Sequence, residues 1–130
     1  MASVPGTDPT VVAARFNDSI NRRDVEELAK LMSEDHRFID SETNTVSGKQ
    51  ACLEAWRGFF DSFPDYRNIF TSLTAKDAVV TIVGYSECSE PSLAGPALWT
   101  ARIQGEKVTE WRVYTDTPEI RARLGVSRTT

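Results

Sequence analysis

The hydrophobic period of the chain changes near Pro64, and this change limits the folds that the chain can adopt. Before Pro64, apolar residues recur every three or four positions, as in Val12, Phe16 and Ile20, which predicts amphipathic helices. After Pro64, several stretches are rich in β-branched and aromatic residues, which is typical of strands. Helices followed by a run of strands predict an α+β fold.

Three helices are predicted in the first half of the chain from their start signals. Asp8 precedes Pro9 as a capping residue precedes the first helical position, so a helix is expected from Pro9. Asp24–Glu27 and Ser47–Gln50 both have capping-box spacing, so each is expected to begin a helix, the later one ending near Asp61.

The strands and loops of the predicted sheet follow from composition and period. A last helical turn is expected at Ile120–Leu124 and a loop at Cys88–Pro96. A strongly curved, mostly antiparallel sheet around the N-terminal helices would enclose a cone-shaped interior. The predicted strands are Arg37–Asp40, Tyr66–Leu73, Ala78–Glu87, Ala97–Ile103 and Lys107–Thr115.

Length and composition exclude several classes of function. The 130 residues suit one domain, expected at 9–126, with flexible tails at 1–8 and 127–130. A net charge of -4 lacks the basic footprint of a nucleic-acid binder, and no apolar run is long enough to span a membrane. Two distant cysteines and no signal peptide predict a reducing, cytoplasmic location, and a single histidine makes a histidine-based metal site improbable, so no metal site is predicted. No cofactor is expected.

Period-2 alternation sorts the strand residues into two faces, and the aromatic-bearing faces are placed inward. The result is a largely apolar cavity that would bind a small apolar molecule, although large aromatic residues can also simply fill a core. The predicted lining residues are Phe16, Phe38, Trp56, Tyr85, Trp99, Trp111 and Val113.

Asp40 is the candidate catalytic group, because it shares a strand face with His36 and Phe38. A carboxyl group in an apolar pocket resists ionisation, so its pKa is expected to rise and to suit a general base. The alternative is that Asp40 caps the turn at Ser41–Thr43. His36 is either an assisting catalytic group or a residue at the surface or at a helix–strand junction.

Several blocks of the sequence together resemble the SnoaL-like, NTF2-like proteins, which include ketosteroid isomerase, limonene-epoxide hydrolase and the SnoaL-type polyketide cyclases. The resemblance covers Pro9–Val126 and implies a conical α+β barrel with a deep apolar pocket, usually a homodimer through the outer sheet face. On that face we expect Arg112 and Tyr114. The matching blocks are Phe16–Asp24, Asp35–Ser41, Ser47–Ala51, Trp56–Phe60, Phe63–Arg67 and Glu110–Asp116.

The resemblance supports only part of the family's catalytic machinery in this chain. Asp40 matches the proton-shuttling aspartate of the isomerases. Phe16 and Trp99 stand at the isomerases' two donor positions, so a true ketosteroid isomerase is not expected. Val113 replaces an aspartate that the epoxide hydrolases use.

The leading hypothesis is therefore a cofactor-independent acid/base enzyme of isomerase or cyclase type, acting on a small apolar carbonyl compound. Asp40 would be the acid/base, assisted by His36, Tyr66 or Tyr85. The alternatives are a non-catalytic module for ligand binding or dimerisation, and a hydrolase or dehydratase with an Asp-held water.

Overall fold

A computed structural model describes residues 8–126 of the chain. The predicted tails at 1–8 and 127–130 lie outside the described residues, except for Asp8, which caps the first helix. The helices are α1 (Pro9–Arg22), α2 (Val25–Leu31), α3 (Lys49–Ser62) and α4 (Pro118–Leu124), and a 3₁₀ turn spans Pro91–Leu93. The strands are β1 (Met32–Ile39), β2 (Thr45–Ser47), β3 (Arg67–Lys76), β4 (Val79–Glu87), β5 (Gly95–Gln104) and β6 (Lys107–Thr115).

The strands form one six-stranded sheet in the order β2-β1-β6-β5-β4-β3. The pair β1–β6 is parallel and the other pairs are antiparallel. Helix α1 contacts β3 to β6, and α3 contacts β1 and β2, so both helices pack on the sheet. The predicted α+β fold is confirmed. Within residues 8–126 no helix is long and apolar enough to cross a membrane.

The helix starts follow from local chemistry, with one error in the prediction. The carboxylates of Asp8 and Asp24 accept the backbone N–H groups of Thr10 and Glu27, at 2.9 and 3.0 Å, as expected. The predicted cap of α3 is wrong, because Ser47 is paired with β1 in the sheet and is therefore extended. Gly48 precedes α3 instead, without a side-chain cap.

The core lies between α1 and the sheet, and its centre is aromatic. The rings of Phe16 and Trp111 are 4.6 Å apart and both side chains are fully buried. On the opposite face of the sheet, the Arg112 guanidinium lies 4.8 Å from the centre of the Tyr114 ring, whose hydroxyl is 3.2 Å from Thr100. A homodimer through this outer face stays a prediction.

Candidate functional site

A cavity of about 370 Å³ opens beside α3, between the end of β1 and the 3₁₀ turn. Its volume is within the range of small-molecule sites. Polar side chains from the β1–β2 turn lie at its mouth, where Asp40 is half-buried and Ser41 and Glu42 are exposed. Most of the remaining wall is apolar, formed by Phe38, Val46, Ala55, Trp56, Phe59, Leu93, Trp111 and Val113.

Four of the seven predicted lining residues lie in the wall of this cavity, namely Phe38, Trp56, Trp111 and Val113. Phe16 does not reach the cavity because it packs behind Trp111, where the two rings are in contact. Trp99 is fully buried against Phe70, with ring centres 5.0 Å apart, and is a core residue. For Trp99, the alternative of a space-filling aromatic residue describes the position correctly, and Phe16 is likewise a core residue.

Tyr85 was expected in the cavity and lies on the outer face of the sheet, where its side chain is 40% exposed. Strand β4 carries apolar side chains at both parities, so its period does not identify the inner face. The structure turns Val80 and Ile82 into the core. Choosing the face that carries an aromatic residue therefore gave the wrong orientation for β4.

Asp40 lies at the mouth of the cavity, with its carboxylate fixed by the β1–β2 turn. Its Oδ1 accepts the backbone N–H groups of Glu42 and Asn44, each at 2.9 Å, and its Oδ2 accepts the side-chain amide of Asn44 at 3.1 Å. Burial raises the pKa of Asp40, but these hydrogen bonds outweigh it and the pKa lies below its ordinary value. The expectation of a raised pKa is wrong, and Asp40 also caps the turn.

His36 is fully buried in the core and is not part of the cavity wall. Its Nδ1 lies 2.7 Å from the carbonyl oxygen of Val108, which can only accept, so Nδ1 carries the proton. Its Nε2 has no hydrogen-bond partner among the described residues. Burial lowers the pKa of His36, despite the bond to Val108. The structure does not bring His36 and Asp40 together at one cavity.

Helix α3 contributes lining residues that the sequence analysis did not single out. Cys52 and Phe59 line the cavity together with Trp56, which was predicted. The three residues lie at positions i, i+4 and i+7 and therefore share one helix face. The helical period around Trp56 was the available signal. The Cys52 thiol is directed at the Val46 carbonyl oxygen, at 3.4 Å.

Tyr66 lies in the wall of the cavity, and its hydroxyl group faces two buried polar side chains, Ser86 and Asn68. The hydroxyl is 3.4 Å from Ser86 Oγ, and Ser86 donates to Asn68 Oδ1 at 2.7 Å. Asn68 is in turn anchored to α1, because its backbone N–H donates to Asn21 Oδ1 at 2.9 Å. Burial raises the pKa of Tyr66, so the phenol stays protonated near neutral pH.

The segment after β4 forms one edge of the cavity and is attached to the base of β3. Asp65 accepts the backbone N–H of Ser89 at 2.9 Å and the thiol of Cys88 at 3.5 Å. Leu93, in the 3₁₀ turn that follows, lines the cavity. The Asp65 carboxylate therefore holds the start of this segment in place.

A family model for the SnoaL-like domain matches residues 13–118. The chain belongs to the SnoaL-like domain family. No curated protein matches the sequence. The match to the family model confirms the expected superfamily. Solved structures are also similar to this SnoaL-like chain.

Three solved structures illustrate the likeness. IdmH of Streptomyces antibioticus, a proposed polyketide cyclase, is 16% identical with a TM-score of 0.70, over 92% of this chain and 100% of that one. An LEH-like epoxide hydrolase of M. tuberculosis is 13% identical with a TM-score of 0.74, over 85% and 84%. An NTF2-like protein of unknown function from Cytophaga hutchinsonii is 11% identical with a TM-score of 0.70, over 95% and 99%. At these identities the likeness shows the fold alone.

Proposed function

We propose that this SnoaL-like chain binds a small, largely apolar carbonyl compound in the cavity and moves a proton at the carbon next to the carbonyl group. The observation that carries the proposal is an anionic side chain, Asp40, at the mouth of an aromatic cavity. Aromatic walls favour an apolar body, and a nearby carboxylate can accept a proton from an acidified C–H bond. The reaction class is that of an isomerase or cyclase.

Asp40 acts as the base in its ionised form. Three hydrogen bonds from the turn leave its carboxylate charged and fixed in orientation. A carboxylate with a low pKa is a weaker base, so the substrate must have an activated C–H bond. His36 takes no part in this proposal, because it lies in the core and outside the cavity wall.

Proton exchange in heavy water tests the proposal without knowledge of the natural substrate. The probe is 2-tetralone, an apolar bicyclic ketone with activated hydrogens next to its carbonyl group. The wild-type chain is expected to speed deuterium uptake at C1 above the buffer rate, as followed by NMR. Asp40→Asn should reduce this acceleration roughly 100-fold or more, while its side-chain oxygen can still accept backbone N–H groups of the turn.

Asp61→Asn is the matched control, since it makes the same charge change at an exposed position in the last turn of α3. With this variant, deuterium uptake by 2-tetralone should proceed at the wild-type rate. Equal exchange in the wild type and Asp40→Asn would contradict the catalytic role of Asp40.

The second candidate function is small-molecule binding without catalysis. The favouring observation is that Asp40 already accepts three hydrogen bonds and serves the turn. On this alternative, 2-tetralone binds and quenches the fluorescence of Trp56 and Trp111, but its deuterium uptake stays at the buffer rate. The two measurements together separate the two functions.

A further inference from the structure

We infer that Tyr66 is the hydrogen-bond donor that recognises the acceptor oxygen of a ligand in the cavity and so fixes the ligand's orientation. The inference rests on the proposed function for the class of ligand, an apolar carbonyl compound. It does not depend on proton transfer by Asp40.

The ring of Tyr66 is held in one orientation beside the cavity. The side chain is only 9% exposed, and its ring packs edge-to-face on Phe59 with centres 4.8 Å apart. Both residues belong to the cavity wall. A phenol held in this way can present its hydroxyl to a ligand without losing much conformational freedom on binding.

Within the protein, the Tyr66 hydroxyl interacts with Ser86 and with the side chain of Asn68. Ser86 has one hydroxyl proton, and its 2.7 Å bond to Asn68 Oδ1 uses that proton. Tyr66 must therefore be the donor in its contact with Ser86, which at 3.4 Å is long for a bond between two hydroxyl groups. A carbonyl oxygen in the cavity would be a better acceptor than Ser86.

Apart from the indole N–H groups of Trp56 and Trp111, the other polar groups of the cavity wall are poorly suited to donate to a carbonyl oxygen. The carboxylates of Asp40 and Glu42 only accept when ionised. The Cys52 thiol is a weak donor directed at a backbone carbonyl, and Ser41 is exposed at the mouth. Tyr66 is therefore the hydroxyl donor of the aromatic wall, and Tyr66→Phe distinguishes its bond from one donated by a Trp indole.

The arrangement predicts a preference for ketones over hydrocarbons of the same shape. A site built to donate a hydrogen bond discriminates against an analogue that lacks the acceptor. The probes are 2-acetylnaphthalene and 2-isopropenylnaphthalene, which differ by C=O against C=CH₂. Binding is followed by quenching of the fluorescence of Trp56 and Trp111, which lie in the cavity wall.

The wild-type chain is expected to bind the ketone about five- to tenfold more tightly than the hydrocarbon, the ratio that one hydrogen bond supplies. Tyr66→Phe should remove this ratio and leave the Kd of the hydrocarbon within about twofold. The infrared C=O stretch of the bound ketone should lie at lower frequency in the wild type than in Tyr66→Phe. If the hydroxyl has only a structural role, Tyr66→Phe should change the Kd of the ketone and the Kd of the hydrocarbon by the same factor.

Tyr85→Phe is the matched control, because it removes the same hydroxyl from the outer face of the sheet, and it should keep the wild-type ratio. Ser86→Ala removes the competing acceptor of the Tyr66 proton, so it should keep or increase the ketone preference. An unchanged preference in Tyr66→Phe, or equal binding of the two probes by the wild type, overturns the role of Tyr66 alone. If neither probe binds the wild type, the result contradicts both the role of Tyr66 and the proposed ligand class of apolar carbonyl compounds.

Discussion

The Asp40 carboxylate accepts both the backbone N–H and the side-chain amide of Asn44, at 2.9 and 3.1 Å. Together with the N–H of Glu42, these donors hold the carboxylate in the turn that forms the mouth of the cavity. Hydrogen bonds to the charged form stabilise it. Any chemistry of Asp40 therefore begins from the ionised carboxylate.

Asn44→Ala should raise the pKa of Asp40 toward its ordinary value. Burial already raises this pKa, and the substitution removes the side-chain bond from Asn44 that opposes burial. We expect the NMR titration midpoint of the Asp40 carboxyl carbon to move to higher pH. Thr45→Ala, at an exposed position of β2, should leave the midpoint unchanged. A wild-type midpoint above about 4, the ordinary value for aspartate, would contradict the hydrogen-bonding argument.

The cavity should discriminate against anions. Asp40 and Glu42 both lie at its mouth, so a bound carboxylate would meet two like charges. We expect 2-naphthoate to bind about tenfold more weakly than 2-acetylnaphthalene at low salt, a cost of roughly 1.4 kcal/mol. Glu42→Gln and added salt should each reduce the difference in affinity between the two probes, because both weaken the repulsion of the anion. Equal affinity of the two probes at low salt would contradict this electrostatic account.

His36 should make the folded state less stable as the pH falls below about 6.5. Burial lowers its pKa in the folded state, so the unfolded chain binds a proton that the folded chain does not. The free energy of unfolding should therefore fall by up to about 1.4 kcal/mol per pH unit between the unfolded pKa of about 6.5 and the lower folded pKa. Because His36 is the only histidine, His36→Phe should flatten this slope in urea unfolding. The same slope in the variant would show that other groups cause it.

The sequence could predict the fold because its local signals agree with one another. Asp8, Asp24 and Gly125 lie at the helix ends where capping chemistry places them, and β6 has the predicted bounds. The bounds of β1 were missed at its start, since Met32 follows α2 directly and its pairing with Val108 depends on tertiary structure.

The candidate site could be predicted only in part, for reasons of side-chain direction and hydrogen bonding. Phe38 and Trp56 were found by their periods, whereas the orientation of β4 around Tyr85 depends on the whole sheet. The pKa of Asp40 depends on donors that the turn folds back from Asn44. No period in the sequence describes that geometry.

The Asp116–Arg121 pair should stabilise the attachment of α4 to the end of β6. Arg121 donates to both carboxylate oxygens of Asp116, at 2.6 and 2.8 Å, and the two side chains are only 11% and 15% exposed. The cap of α4 is Thr117, whose side chain accepts the N–H of Ile120. Asp116→Asn should therefore lower the free energy of unfolding by about 1.5–3 kcal/mol at pH 7.

The effect of Asp116→Asn should depend on pH. The bond from Arg121 lowers the pKa of Asp116, so the stabilisation is present above about pH 4 and is lost as the pH falls through the lowered pKa. The wild type and the variant should converge in stability toward pH 2. A difference that is independent of pH would exclude the ion pair as its cause.

Among the glycines of residues 8–126, Gly84 should tolerate a side chain least, because the paired strand β3 lies very close to it. A Cβ at this position would overlap the carbonyl oxygen of Ile69 and lie 3.0 Å from the Cα of Phe70. These are backbone atoms of the paired strand, so the sheet must shift to make room. Gly84→Ala should lower the free energy of unfolding by roughly 3 kcal/mol or more in urea titration. Gly58→Ala is the matched control, since its Cβ meets nothing within 4 Å in α3, and it should stabilise by about 1 kcal/mol. Equal effects of the two substitutions would contradict the close approach of the strands at Gly84.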